Sequence, residues 1–213
     1  MAHPPARIFP ALAAAVLLAA CAPRVPPLTG IPTPARLPSA ELRPVHQQIV
    51  FQWEYADIDF RTRGEGVARV APPDSARLDL FVAGGFGGGH AWLLADSVIA
   101  PSGPLIRRFI PPPPLMWATL GRLALPPARD TIARLDGDTL RADIGSTDPW
   151  RVTYVGDRLV RLERISGSRI AEWVDRSAPD QVRYRNETAR RSLTLTITSW
   201  ETVPPFDASI WAW

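Results

Sequence analysis

The feature that most constrains the fold of this chain is a period of two in its apolar residues. Ile49, Phe51, Trp53 and Tyr55 fall on one side of an extended segment, with Gln52 and Glu54 on the other. Leu78, Leu80 and Val82 alternate with Arg77 and Asp79; Trp150, Val152 and Tyr154 alternate with Arg151 and Thr153; Leu193, Leu195 and Ile197 interleave with Thr194, Thr196 and Thr198. Successive side chains of a strand point to opposite faces. Each segment therefore has one wet and one apolar face, the pattern of an antiparallel sheet with its core on one side. Asp136-Gly137, Gly156-Asp157 and Ser166-Gly167 sit between such runs, where tight hairpins need residues that tolerate positive φ. Roughly ten or eleven strands can be counted in meander order, too many for an open sheet without strong curvature.

One segment breaks the pattern. After Pro111-Pro112-Pro113-Pro114, residues 115–123 have helical spacing, with Leu115, Thr119 and Arg122 offset from Met116, Leu120 and Leu123. Proline before the first turn and Pro126-Pro127 beyond the last bracket a short helix. A curved sheet leaves an apolar concave face, and this helix is the natural lid.

The N-terminal region has a different character. Arg7 precedes an apolar run from Ile8 to Leu18, and Leu18-Ala19-Ala20 lead to Cys21, the single cysteine. A short positive region, an apolar stretch and small residues are the parts of a secretory leader. The run is too short to span a bilayer, which needs about 20 apolar residues, and with one cysteine the fold has no internal disulfide. Residues 1–20 read as a leader. Residues 21–45, with Pro23, Pro26, Pro27, Pro32, Pro34, Pro38 and Pro44, read as an extended tether. Residues 46–203 form a single β domain, and residues 204–213 a tail whose Ile210-Trp211-Ala212-Trp213 has no assigned role.

Leu-Ala-Ala-Cys resembles the lipobox of bacterial lipoproteins, which implies cleavage before Cys21 and acylation of its thiol. Several acyl chains hold a protein firmly, each buried methylene adding roughly 0.8 kcal/mol. With this anchor, the order of the β segments resembles the lipoprotein-localisation family of the bacterial envelope, the LolA/LolB-like carrier and receptor. The resemblance runs through Phe51 and Trp53, Gly64-Glu65-Gly66-Val67-Ala68-Arg69-Val70, Ala76-Arg77-Leu78-Asp79-Leu80-Phe81, Ala91-Trp92-Leu93-Leu94, Trp150-Arg151-Val152-Thr153-Tyr154 and Leu193 to Trp200.

What it implies is a mainly β fold, an incomplete barrel with a short helical lid, whose apolar cavity takes up membrane lipid or lipoprotein acyl chains. The candidate lining is Phe51, Trp53, Tyr55, Leu78, Leu80, Trp92, Leu94, Trp117 and Trp150. Phe86, alone among glycines 84–89, is the candidate membrane-contact residue. The implied location is the outer membrane, lipid-anchored and facing the periplasm, with a soluble periplasmic carrier as a further partner. The competing reading is an envelope scaffold that uses a closed core to hold a protein partner.

Other chemistry is poorly represented. The 24 basic side chains, all arginine, face 21 acidic ones, too even a balance and too dispersed for nucleic acid. His46 and His90 have no cysteine partner and suggest neither a metal site nor a nucleophile–base pair. Asp136-Gly137-Asp138 lacks the rest of a calcium loop, and the glycine run has no following Lys. Asp57 and Asp59, read as sharing a strand face, fall where charged turn residues are ordinary. No enzyme and no cofactor are expected.

Overall fold

The computed structural model describes residues 24–34, 36–38, 45–85, 87–125 and 128–212. Among them, thirteen strands form one antiparallel sheet: β1 (Ile31–Thr33), β2 (His46–Ala56), β3 (Arg61–Ala71), β4 (Ser75–Val82), β5 (Gly88–Leu94), β6 (Ser97–Ile99), β7 (Thr131–Asp136), β8 (Thr139–Ile144), β9 (Trp150–Val155), β10 (Arg158–Ser166), β11 (Arg169–Asp175), β12 (Gln181–Asn186) and β13 (Arg191–Val203). The spatial order is β1-β7-β8-β9-β10-β11-β12-β13-β2-β3-β4-β5-β6, with β1 and β6 at open edges. The sheet curves around its core without closing into a barrel.

The strands beyond the expected ten or eleven include the three-residue edges β1 and β6. Neither is long enough to display an alternation, which is why periodicity does not reveal them.

The three hairpins marked in the sequence form with two-residue turns. Val155 pairs with Arg158 across Gly156-Asp157, Asp136 with Thr139 across Gly137-Asp138, and Ser166 with Arg169 across Gly167-Ser168. The first turn residue is in each case glycine, at φ 61°, 56° and 58° for Gly137, Gly156 and Gly167, as a turn matched to strand twist requires.

Antiparallel register places the β2–β3, β4–β5, β8–β9, β10–β11 and β12–β13 connections at one end of the sheet, here the upper end. The β3–β4, β5–β6, β7–β8, β9–β10 and β11–β12 turns lie at the lower end.

Two short helices cover the concave face: α1 (Pro104–Phe109) against β5, and α2 (Pro113–Thr119) against β10, β11 and β12. The helix expected over 115–123 starts earlier and stops sooner. Gly121 takes a left-handed φ of 84°; its N–H donates to Ala118 O at 3.0 Å and that of Arg122 to Trp117 O at 3.0 Å. That pair of bonds is a Schellman stop. Pro113 and Pro114 occupy the first turn, where the missing N–H costs nothing.

The proline-rich segment expected to be a free tether lies in part on the sheet. Arg24 bridges to Arg169, Val25 N–H donates to Ser168 O at 3.2 Å, Arg151 donates to Pro26 O, and residues 31–33 pair with β7. Proline withholds a donor, yet its carbonyl still accepts, and here arginine supplies the donor. Residues 204–212 also dock, closing with a 3₁₀ turn at Ala208–Trp211 capped by Asp207, which accepts from Ser209 N–H.

Candidate functional site

The concave face is built from the alternating residues. Ile49, Phe51, Trp53 and Tyr55 of β2 are each no more than 2 % exposed. β3 answers them with glycine: Trp53 pairs with Gly64 and Phe51 with Gly66. A methyl at Gly64 would lie 1.8 Å from Phe81 O and 2.7 Å from the Trp53 ring; at Gly66 it would lie 2.5 Å from the Phe51 ring. The aromatic rings therefore lie over β3 where other strands would raise side chains of their own. The Trp53 indole N–H donates to Glu65 O at 2.9 Å, which satisfies the one polar atom buried there.

Leu78 and Leu80 of β4 and Leu193 and Leu195 of β13 continue this face, and Phe109, Ile110 and Met116 close it from above; with Phe51 and Trp53 these residues line a slot of about 20 Å³. That is room for about one water molecule, against roughly 300–1,000 Å³ for small-molecule pockets. Trp117 is fully buried in the same core and donates to Ala95 O at 2.7 Å. Trp150 packs half-buried against the core from β9.

Trp92 and Leu94 do not join them. Leu78 pairs with Ala91, whereas Trp92 pairs with Arg77 and Leu94 with Ser75, so Trp92 and Leu94 point to the convex side. Trp92 is nevertheless buried, because the C-terminal segment covers it: the Trp92 indole and Arg77 both donate to Ile210 O at 3.0 Å. Arg77 also stands 5.6 Å over the Trp92 ring. The tail thus has a structural role in capping the convex face. Cys21 and Phe86 lie outside the described residues.

Three groups are missing from the sequence-derived site. Phe109 contacts Trp53, Tyr55 and Phe60 with centroids 5.1, 5.0 and 6.2 Å apart. Arg108 fastens the same helix: its Nε donates to Asp57 Oδ2 at 2.8 Å and its Nη2 to Asp59 Oδ2 at 2.7 Å, while its guanidinium sits 4.9 Å over Phe60. Asp57 and Asp59 lie beyond the end of β2, not along it. Desolvation pushes the Asp57 carboxyl up, but donors from Tyr55, the Asp59 and Phe60 amides and Arg108 outweigh it and hold its pKa at about 2. Burial, and donation to Asp57, raise the Tyr55 phenol.

The third is Glu172, 3 % exposed on the concave side near the upper end. It accepts from Tyr184 Oη at 2.9 Å, Asn186 Nδ2 at 2.6 Å and Arg164 Nε at 2.8 Å. A buried carboxylate persists where its oxygens are satisfied. Its shared parity with Val174 was the available signal.

The histidines serve packing. His46 meets the Phe206 ring edge-on at 5.2 Å, and His90 meets Trp92 at 4.7 Å. Among the described residues, no three His, Cys, Asp or Glu side chains gather as metal ligands, and no helix is long and apolar enough to cross a membrane.

No family model and no curated protein matches the sequence. Among solved structures, a LolA-superfamily protein from Nitrosomonas europaea aligns with a TM-score of 0.51, covering 80% of this chain and 91% of that one at 10% identity. The fold is LolA-like. At that identity the likeness is one of fold alone. A domain described as an outer membrane lipoprotein-sorting protein from Vibrio parahaemolyticus (TM-score 0.47, 9% identity, 81% of this chain and 92% of that one) and a DUF1329 family protein from Desulfovibrio piger (0.45, 8%, 77% and 88%) lie further off and add nothing to it. The LolA-like half-barrel here has its concave face filled by its own two helices.

Proposed function

We propose that this chain is an envelope lipoprotein, acylated on Cys21 and held at the periplasmic face of the outer membrane, whose LolA-like half-barrel binds lipid or lipoprotein acyl chains. The observation that carries the reading is the construction of the concave face. Its lining is apolar throughout the slot, and its cover is two helices of six and seven residues rather than a second sheet. Short helices have little stability of their own, so this cover can move while the sheet stays intact. An acyl chain would take the volume now held by Phe109, Ile110 and Met116. Binding is non-catalytic, and a soluble periplasmic carrier fits as the source or recipient of the chain.

Apparent affinity then depends on the fraction of molecules with the helices displaced. Native mass spectrometry of the full chain, followed by titration with a fluorescent fatty-acyl probe, tests this. Arg108→Ala, which releases α1, is expected to tighten probe binding several-fold. A folded protein that carries no lipid and ignores the probe, in both forms, would sink the reading.

A second reading is supported by the size of the closed slot. As a scaffold the domain would keep its core shut and present its outer face, where grooves of about 350 and 500 Å³ share Glu54 and Arg63. Probe binding that Arg108→Ala leaves at zero favours this alternative.

A further inference from the structure

The path of the N-terminal segment fixes where an anchor would sit. Residues 24 and 25 are fastened to Arg169 and Ser168 at the tip of the β10–β11 hairpin, at the upper end of the sheet. From there the chain crosses the outer face, held by Arg151 at Pro26 and by Arg134, which donates to Gly30 O at 3.0 Å, and enters β1. Only Ala22 and Pro23 separate Cys21 from Arg24. Three extended peptide steps reach about 11 Å at most. The domain cannot stand tens of ångströms off a membrane to which Cys21 is bound.

Charge is sorted along the same axis. Arg24, Arg61, Arg107, Arg169 and Arg190 are exposed at the upper end. The acids there are Asp57 and Asp59, both held by Arg108, Glu187, paired with Arg185, the buried Glu172, paired with Arg164, and Asp130 and Asp148. Every turn at the lower end carries aspartate: Asp74, Asp96, Asp136 and Asp138, Asp157, and Asp180 in turn order. Against these stand Arg158, Arg141, which pairs with Asp136 at 3.8 Å, and Arg122 and Arg176, which are half-buried. The upper end also presents apolar side chains to solvent, Ile58 at 73 % and Leu105 at 50 % exposure.

We infer that the upper end is the surface of this domain that rests on an anionic phospholipid bilayer. The basic rim attracts the headgroups and Ile58 and Leu105 enter the interface. The aspartates at the far end are repelled, and the docked segment ties the anchor to the end that faces the lipid. The inference rests on acylation of Cys21 and not on what the concave face binds.

The test uses the full acylated chain in vesicles of phosphatidylethanolamine and phosphatidylglycerol. Ile58→Cys and Arg190→Cys place a solvatochromic label at the upper end; Asp138→Cys and Asp157→Cys place it at the lower end. All four are exposed turn positions, and two per end guard against one variant failing to fold. Brominated lipid should quench the upper labels several-fold more than the lower ones. A Gly/Ser spacer of about 20 residues between Pro23 and Arg24 should reduce that difference. Equal quenching at the two ends, or more at the lower end, overturns the orientation. A difference that survives the spacer unchanged overturns the role of the docked segment. An intact mass without acyl groups on Cys21 overturns the anchored reading itself, and is read before any quenching is measured.

Discussion

Gly64 and Gly66 are empty positions that the fold uses. The rings of Trp53 and Phe51 lie across them, and a methyl at either would collide. Gly66→Ala meets the Phe51 ring, which can shift, and crowds Asp79 O at 3.1 Å, and should cost about 1–3 kcal/mol, the range for overpacking. Gly64→Ala meets the Phe81 carbonyl as well and should cost more. Urea unfolding of the two variants checks the order; equal midpoints would mean that the rings are not locked against β3. The alternation of Phe51, Trp53 and Tyr55 was legible in the sequence because the residues between them, Gln52 and Glu54, are polar. The direction of Trp92 was not. In Ala91-Trp92-Leu93 both faces are buried, one by the core and one by the tail, so parity carries no information. Measured against a reference in which Trp211 and Trp213 are replaced by phenylalanine, deleting residues 204–213 should therefore red-shift the tryptophan emission, as Trp92 becomes exposed, and lower the unfolding midpoint. Unaltered emission overall would mean that the tail does not cover Trp92 in solution.

Hairpins were readable from glycine-containing turns between alternating runs, and the second helix from its spacing and bracketing prolines, because these requirements are local. The helix α1 was not, since six residues show less than two turns of periodicity. Only Gly103-Pro104 marked its start. What holds α1 is tertiary: Phe109 in an aromatic nest and Arg108 on two carboxylates 51 and 49 residues earlier in the sequence. The Asp57 carboxyl has a pKa of about 2 in the fold against an ordinary 3.8, so folding favours its ionised form. That stabilisation is complete above about pH 4 and is lost as pH falls through about 2. Hydrogen-exchange protection of the α1 amides, corrected for intrinsic rate, should be flat with pH above 4 and decline below it. In Asp57→Asn the protection should be lower at neutral pH and should lack that acid limb. An identical limb in the variant would assign the effect to other carboxylates.

At the scale of the whole molecule, the curved sheet and one of its two covering helices follow from alternation, strand number and a proline-bracketed segment, while its open edges were implied by the family resemblance alone. The closure of the slot does not follow from them, because whether aromatic side chains fill a concavity or line one depends on how the covering helices sit. This ambiguity can be put to work. Phe109 is 2 % exposed and borders the existing slot of about 20 Å³. Phe109→Ala should destabilise the fold by about 3–5 kcal/mol, the usual cost of emptying an aromatic site. A core that exists only to be packed gains nothing in return. If the cover instead occupies the place of an acyl chain, the same deletion removes part of what the ligand must displace, and probe affinity rises as stability falls. Calorimetric unfolding and acyl-probe titration of the one variant therefore separate the two roles. Destabilisation with tighter binding identifies the helices as a displaceable cover, and destabilisation with no binding identifies them as core.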